Sequence, residues 1–204
     1  DGGVYSLERD MKKVLLVTIT SNRGLCGGFN AYIIKSAKTL INNDYKSAKV
    51  DILSIGKKSS EHFTKNGFNV NSTHDQLFTD LTFENVSMIA EDIMQQFVKG
   101  DYDKVVLVYN QFKNAATQII MNENYLPIQT TKDKEGAVVG DYLFEPTKQE
   151  IVEQLIPKSL KTQLFKAVLD SHAAEHGARM TAMHKATDNA AELKKELTLT
   201  YNKA

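Results

Sequence analysis

Three stretches of this chain carry residue types that could do chemistry. Ser21-Asn-Arg-Gly-Leu-Cys-Gly-Gly-Phe-Asn30 lies between an apolar run and a helical pattern, where dinucleotide-binding folds place a phosphate loop. Its glycines, Gly24, Gly27 and Gly28, fit neither G-x-G-x-x-G nor G-x-x-x-x-G-K-[ST]. Positive φ and close helix–strand packing explain them more simply. Gly56-Lys-Lys-Ser59 mimics the tail of a phosphate loop without the upstream glycine, and reads as a solvated helix start capped by Ser59. His172-Ala-Ala-Glu-His176 matches H-x-x-E-H, a zinc peptidase signature. Spacing of four on a helix lets both imidazoles face one metal ion. A peptidase also needs a cleft, and no flanking domain supplies one, so no metal ligand is assigned. Cys26, beside Arg23, could be an activated thiol. No histidine and asparagine are arranged around it, and a packed cysteine is expected. Met180 and Met183 read as packing residues. No catalytic or cofactor-binding residue is assigned, and no cofactor is expected.

The elements that would position these residues follow from periodicity. Residues 13–20, KVLLVTIT, form a dense apolar, β-branched run suited to a buried central strand. Residues 31–41 repeat in the helical sense, with Tyr32, Ile33, Ala37, Leu40 and Ile41 assigned to one face. Residues 50–55 read as a strand, 59–66 as a helix closed by Gly67, and 68–70 as a weak strand. Residues 85–98 place Val86, Ile89, Ile93, Met94 and Phe97 at helical spacing before Gly100. Residues 105–109 and 117–121 read as strands joined through a tight turn at Asn114. Alternating strands and helices predict a mainly parallel, Rossmann-like βαβ sheet. The last two strands are too close for a crossover and must be antiparallel. Residues 129–141 read as a mobile polar loop.

Composition excludes several classes. Of 204 residues, 42% are hydrophobic and 25% charged, as in ordinary globular proteins. Lys plus Arg is 25 and Asp plus Glu is 25, a balance that argues against a general nucleic-acid binder. A single cysteine precludes an intrachain disulfide and favours a reducing compartment. No apolar run approaches the ~20 residues of a membrane span. The expectation is a soluble chain that meets a membrane only through partners.

The last third differs. Leu169, Ala173, His176, Met180, Met183, Thr187 and Ala190 recur at spacings of four and three, a coiled-coil seam that Leu193 and Leu197 continue after one phase slip. Ala173, Ala174, Ala178, Ala182, Ala186, Ala190 and Ala191 would let a second helix approach closely. A helix over 158–204 would be ~70 Å long, against ~30 to 40 Å for a domain of the preceding residues, so much of it must project. The expected organisation is a globular α/β domain over 1–146 and a long helix over 147–204, half of a coiled coil whose partner helix lies either in missing sequence or in another chain. Both ends read as trimmed.

Two long segments resemble the γ subunit family of F-type ATP synthase. Residues 21–30 are similar to its S-D-R-G-L-C-G-G-L-N element, and 175–190, EHGARMTAMHKATDNA, to its C-terminal signature, continued by 193–204. Residues 142–146, YLFEP, are similar to the family's Y-L-Y-E-P segment. Asn22, Phe29, Ala174 and Phe144 are mild departures. The resemblance implies a non-catalytic central-stalk rotor subunit, its long helix half of an antiparallel coiled coil with a missing first helix, that couples rotation of a membrane ring to conformational change at the catalytic β subunits. It implies α and β subunits of the F1 head, an ε subunit and the c-ring of Fo as partners. By the match to its motifs, Arg179, Met180, Met183, Lys185, Thr187, Asp188 and Asn189 are contact positions near the head, and Phe144 and Glu145 near the foot. The implied location is the cytoplasmic face of a bacterial inner membrane, with the matrix side of the mitochondrial inner membrane as the other possibility. The competing function is a nucleotide-binding enzyme using the loop from Gly24 to Gly28.

Overall fold

The computed structural model describes residues 3–129 and 151–203. Strands β1 (Lys13–Ile19), β2 (Lys49–Ile55), β3 (Val70–Thr73), β4 (Lys104–Asn114) and β5 (Thr117–Leu126) alternate with helices α1 (Phe29–Asn42), α2 (Lys57–Lys65) and α3 (Phe83–Lys99). Among the described residues they form one sheet of order β3-β2-β1-β4-β5. The first three pairings are parallel and β4–β5 is antiparallel. A short π-helical turn, Ile151–Leu155, leads into the long helix α4 (Ile156–Lys203).

Covering both faces of the sheet requires the apolar run in β1 to supply two cores at once, because successive side chains alternate. Val14 and Leu16 pack with Ile33, Ala37 and Leu40 of α1 and Phe63 of α2. Leu15, Val17 and Ile19 pack on the opposite face with Val86, Ile93 and Phe97 of α3 and Leu160, Leu164 and Val168 of α4. The near half of α4 therefore belongs to the core of the sheet.

Several expectations shift. Tyr32 is exposed and lies off the buried face of α1, which instead runs Phe29, Ile33, Ala37 and Leu40. The third strand starts at Val70, two residues later than expected, and β4 and β5 run on as a long hairpin whose tips lie beyond the apolar stretch. That extension is carried by backbone pairing, which polar side chains do not reveal. The Asn114 turn forms as expected: its Oδ1 accepts from the Ala116 and Thr117 amides at 3.0 and 2.8 Å. Ser59 is not a solvated cap. Gly56 occupies the N-cap of α2, and Ser59 is buried, its amide donating to Thr20 Oγ1 at 3.0 Å.

Candidate functional site: the root and outer face of the long helix

Helix α4 has two faces with different fates. On the inner face Leu160, Leu164, Ala167, Val168, Ser171, Ala174 and Gly177 are buried. Polar ties hold this face in register. Tyr125 Oη donates to Leu160 O at 2.9 Å, and Gln163 Nε2 to Glu123 Oε1 at 2.7 Å. The second oxygen of Glu123 accepts from Tyr109 Oη at 2.6 Å. Burial, then this carboxylate, pushes the Tyr109 hydroxyl far above its ordinary range, so it remains a donor. Lys161 pairs with Glu91 of α3, and Phe165 meets Phe83 edge to face at 5.4 Å.

Two loops grip the helix where it leaves the sheet. One is the β4–β5 turn. Gly177 lies so near it that a Cβ there would stand 3.0 Å from Ala115 Cα, and Thr181 Oγ1 donates to Ala115 O at 3.0 Å. The other is the glycine-rich loop after β1. Its Cys26 and Phe29 are buried with Ala174, and Ala178 packs beside them. Arg179 Nη1 pairs with Glu175 at 2.6 Å, while Nη2 donates to Gly24 O at 3.3 Å. Asn30 ties the loop to itself, donating to Ser21 Oγ at 2.7 Å and to Cys26 Sγ at 3.3 Å.

This arrangement answers the phosphate-loop question. The loop does occupy the carboxyl end of β1, but it is packed against α4. The carbonyl oxygens of Arg23 and Gly24 accept from Arg179, and the buried sulfur of Cys26 serves packing. Only Gly27 of the three glycines has a positive φ, +59°, which its lack of Cβ permits. A Cβ at Gly28 would meet the ring of Tyr32 at 2.6 Å, an exposed side chain that could turn aside. No helix–strand approach is involved, so the expectation of close helix–strand packing is corrected. Ala174 and Ala178 likewise face this loop and not an absent helix.

The outer face carries the seam read from the sequence. Leu169, Ala173, His176, Met180, Met183, Thr187, Ala190, Leu193 and Leu197 are all exposed, with Met180 at 49% and Met183 at 51%. From residue 183 to residue 203 every side chain is exposed, over ~30 Å of helix. Lys185, Thr187, Asp188 and Asn189 stand on this free stretch, whereas Arg179 is drawn inward by Glu175 and the loop. Phe144 and Glu145, and the boundary at residue 146, lie outside the described residues. His172 and His176 flank the root: their Nε2 atoms are 3.1 Å apart, and the His172 ring stacks on Phe78 at 5.5 Å. Burial, then the neighbouring His176, holds His172 below its ordinary pKa.

Sequence reasoning missed Ala115, Thr181 and Phe78. The available signal was Gly177: a glycine inside a helix costs about 1 kcal/mol against alanine, so its presence there marks a close neighbour.

Comparison with known proteins agrees with this geometry. A family model described as ATP synthase matches residues 3–204. The chain is 56% identical over 203 residues to the ATP synthase gamma chain of Flavobacterium johnsoniae, covering 100% of this chain and 70% of that one. It is 55% identical to that of Christiangramia forsetii, with the same coverage. Among solved structures, the central stalk and c-ring assembly of the Tetrahymena thermophila mitochondrial ATP synthase contains a chain similar at TM-score 0.68 and 25% identity, over 89% of this chain and 80% of that one. A rotor chain of the Euglena gracilis enzyme shares the fold at TM-score 0.74 and 23% identity, over 95% and 73%. With sheet order, gripped root and bare outer seam all in place, the chain belongs to the γ-chain family of ATP synthase, as a subunit of the rotor stalk.

Proposed function

We propose that this chain is the shaft that carries torque between a rotating membrane ring and the catalytic β subunits, with no catalytic site of its own. The observation that carries this reading is the outer seam. A rod projecting beyond its domain with a largely apolar stripe is incomplete until a second helix covers it. Close packing of such a pair resists bending and twist, and the inner face, tied to β4, β5 and α3, transmits that load to the sheet. On this reading Met180, Met183, Lys185, Thr187, Asp188, Asn189 and Arg179 lie toward an α3β3 head. Phe144 and Glu145 lie toward an ε subunit and the c-ring, at the cytoplasmic face of a bacterial inner membrane. The nucleotide-binding alternative loses support because the loop that would serve it grips the helix.

The test is assembly followed by coupling. Full-length protein should co-purify with α, β and ε and support proton-driven ATP synthesis in vesicles. Charge reversal at Glu145 should weaken coupling while assembly persists. Failure to assemble with α and β, or micromolar binding of ATP or NAD to the isolated chain, would overturn the proposal.

A further inference from the structure

The two loops at the root of α4 meet it at opposite edges of one arc. On a helix that turns about 100° per residue, Gly177 and Thr181, which face the β4–β5 turn, lie to one side of Ala174. Ala178 and Arg179, which face the glycine-rich loop, lie to the other. From Gly177 through Ala174 to Arg179 the contacts span about 200° of the circumference. The arc left open carries Leu169, Ala173, His176 and Met180, the exposed seam. A second helix on the seam and two loops on the rest of the circumference enclose the root without competing for it.

We propose that these loops form a torsional collar: they fix the point on α4 at which twist of the shaft begins, and Arg179 is the positioning residue that locks the helix to the domain. The proposal rests on the reading of the chain as a torque-carrying shaft. Both loops are braced against the sheet. In the glycine-rich loop, Asn110 of β4 donates to Phe29 O at 3.1 Å. Asn22 Nδ2 donates to Asp75 O at 2.7 Å, and its Oδ1 accepts from the Lys57 amide at 2.9 Å. The other loop is the end of the β4–β5 hairpin, closed by Asn114. Contacts at the rim of a helix, ~5 Å from its axis, oppose rotation in both senses when they stand on both sides of it.

Arg179 joins the helix to its loop through charge. One guanidinium nitrogen holds Glu175 at 2.6 Å, and the other donates toward the Gly24 and Arg23 carbonyl oxygens at 3.3 and 3.5 Å. Charge-assisted bonds are the stronger kind, and this pair is shielded, with side-chain exposures of 18% and 12%. Glu175 orients Arg179, and Arg179 ties the helix to the loop, so the glutamate of H-x-x-E-H has a mechanical role here. On the opposite edge Thr181 donates to Ala115 O at 3.0 Å, and the missing side chain of Gly177 lets the turn close on the helix. From residue 183 onward every described side chain is exposed. The collar is therefore the last place where the described domain holds the rod.

The test uses the assembled complex, with its α3β3 head fixed to a surface and a gold particle on the globular domain of this chain. The angular spread of the particle is read while rotation pauses. Arg179→Ala should widen the spread, and so should Thr181→Val, which leaves the Arg179–Glu175 pair intact. Without the collar, twist begins near Ser171 instead of Thr181. That lengthens the twisting part of the described rod by about half and raises the mean-square angle up to about 1.5-fold. Arg179→Lys, which keeps a cation beside Glu175, should recover part of the difference. In the full-length protein on its own, Arg179→Ala and Thr181→Val should speed hydrogen exchange of amides in 176–182 while those in 160–168 stay protected. An unchanged angular spread in both variants, no recovery with lysine, or unchanged exchange would overturn the collar. Failure of the unsubstituted chain to assemble with α and β strikes the shaft reading instead, and exchange in the free protein then still decides whether the loops hold the root.

Discussion

Gly177 is the residue on which the root of the helix depends most directly. Its missing side chain lets α4 approach the Ala115 turn to van der Waals distance. Gly177→Val should therefore cost about 1–3 kcal/mol through overpacking, lowering the thermal midpoint by a few degrees. An unchanged midpoint would show that the turn gives way freely. His74 offers a second test. Burial lowers its pKa from the ordinary 6.5, against the opposing pull of Asp92 and Asp75, and its Nε2 is buried with no hydrogen-bond partner among the described residues. The unfolded chain takes up a proton near pH 6.5 that folded His74 refuses. Its contribution to stability is complete above that pH and is lost as pH falls toward the lower folded value. Thermal midpoints should drop between about pH 7.5 and about pH 5, and His74→Asn should narrow the difference; an identical drop in that variant assigns the effect elsewhere.

At the scale of the element, α4 is a helix with two apolar faces serving two different surfaces. Its inner face is part of a domain core, so Leu164→Ala, at a fully buried position, should destabilise by about 2–5 kcal/mol. Its outer face is exposed, so Met183→Ala should stay within about 0.5 kcal/mol in this chain alone. Denaturant unfolding of the two variants separates the faces, and equal losses would mean that the outer stripe is already covered. The outer stripe was legible from spacings of four and three. The inner one was not read, because Leu160, Leu164, Ala167 and Ala174 interleave with it and two stripes on one helix blur a single period. The gripping role of the glycine-rich loop was equally hidden. Gly24, Gly27 and Gly28 announce a turn, but only Arg179, 155 residues away from Gly24 in sequence, reveals what the turn holds.

In the molecule as a whole, stability should fall along the rod. Amides in 160–181 share the core of the sheet and should exchange with solvent only on global unfolding. Residues 183–203 are all exposed, and a lone helical segment of that length is marginal in water. Hydrogen exchange should therefore be orders of magnitude faster there, and should slow when a partner helix is supplied. Uniform protection along α4 would contradict the picture of a free rod.

Alternation and helical periodicity by themselves determined the parallel sheet, the antiparallel last pair, the exposed seam and the projection of the helix, because each is a local pattern repeated over many residues. Two long motifs, at 21–30 and 175–190, were enough to identify the family. Only the tertiary structure decided that half of the rod is core, that the phosphate-like loop is a grip, and that His172 and His176 face each other. Those depend on contacts between segments far apart in sequence, whose geometry no single stretch of the chain encodes.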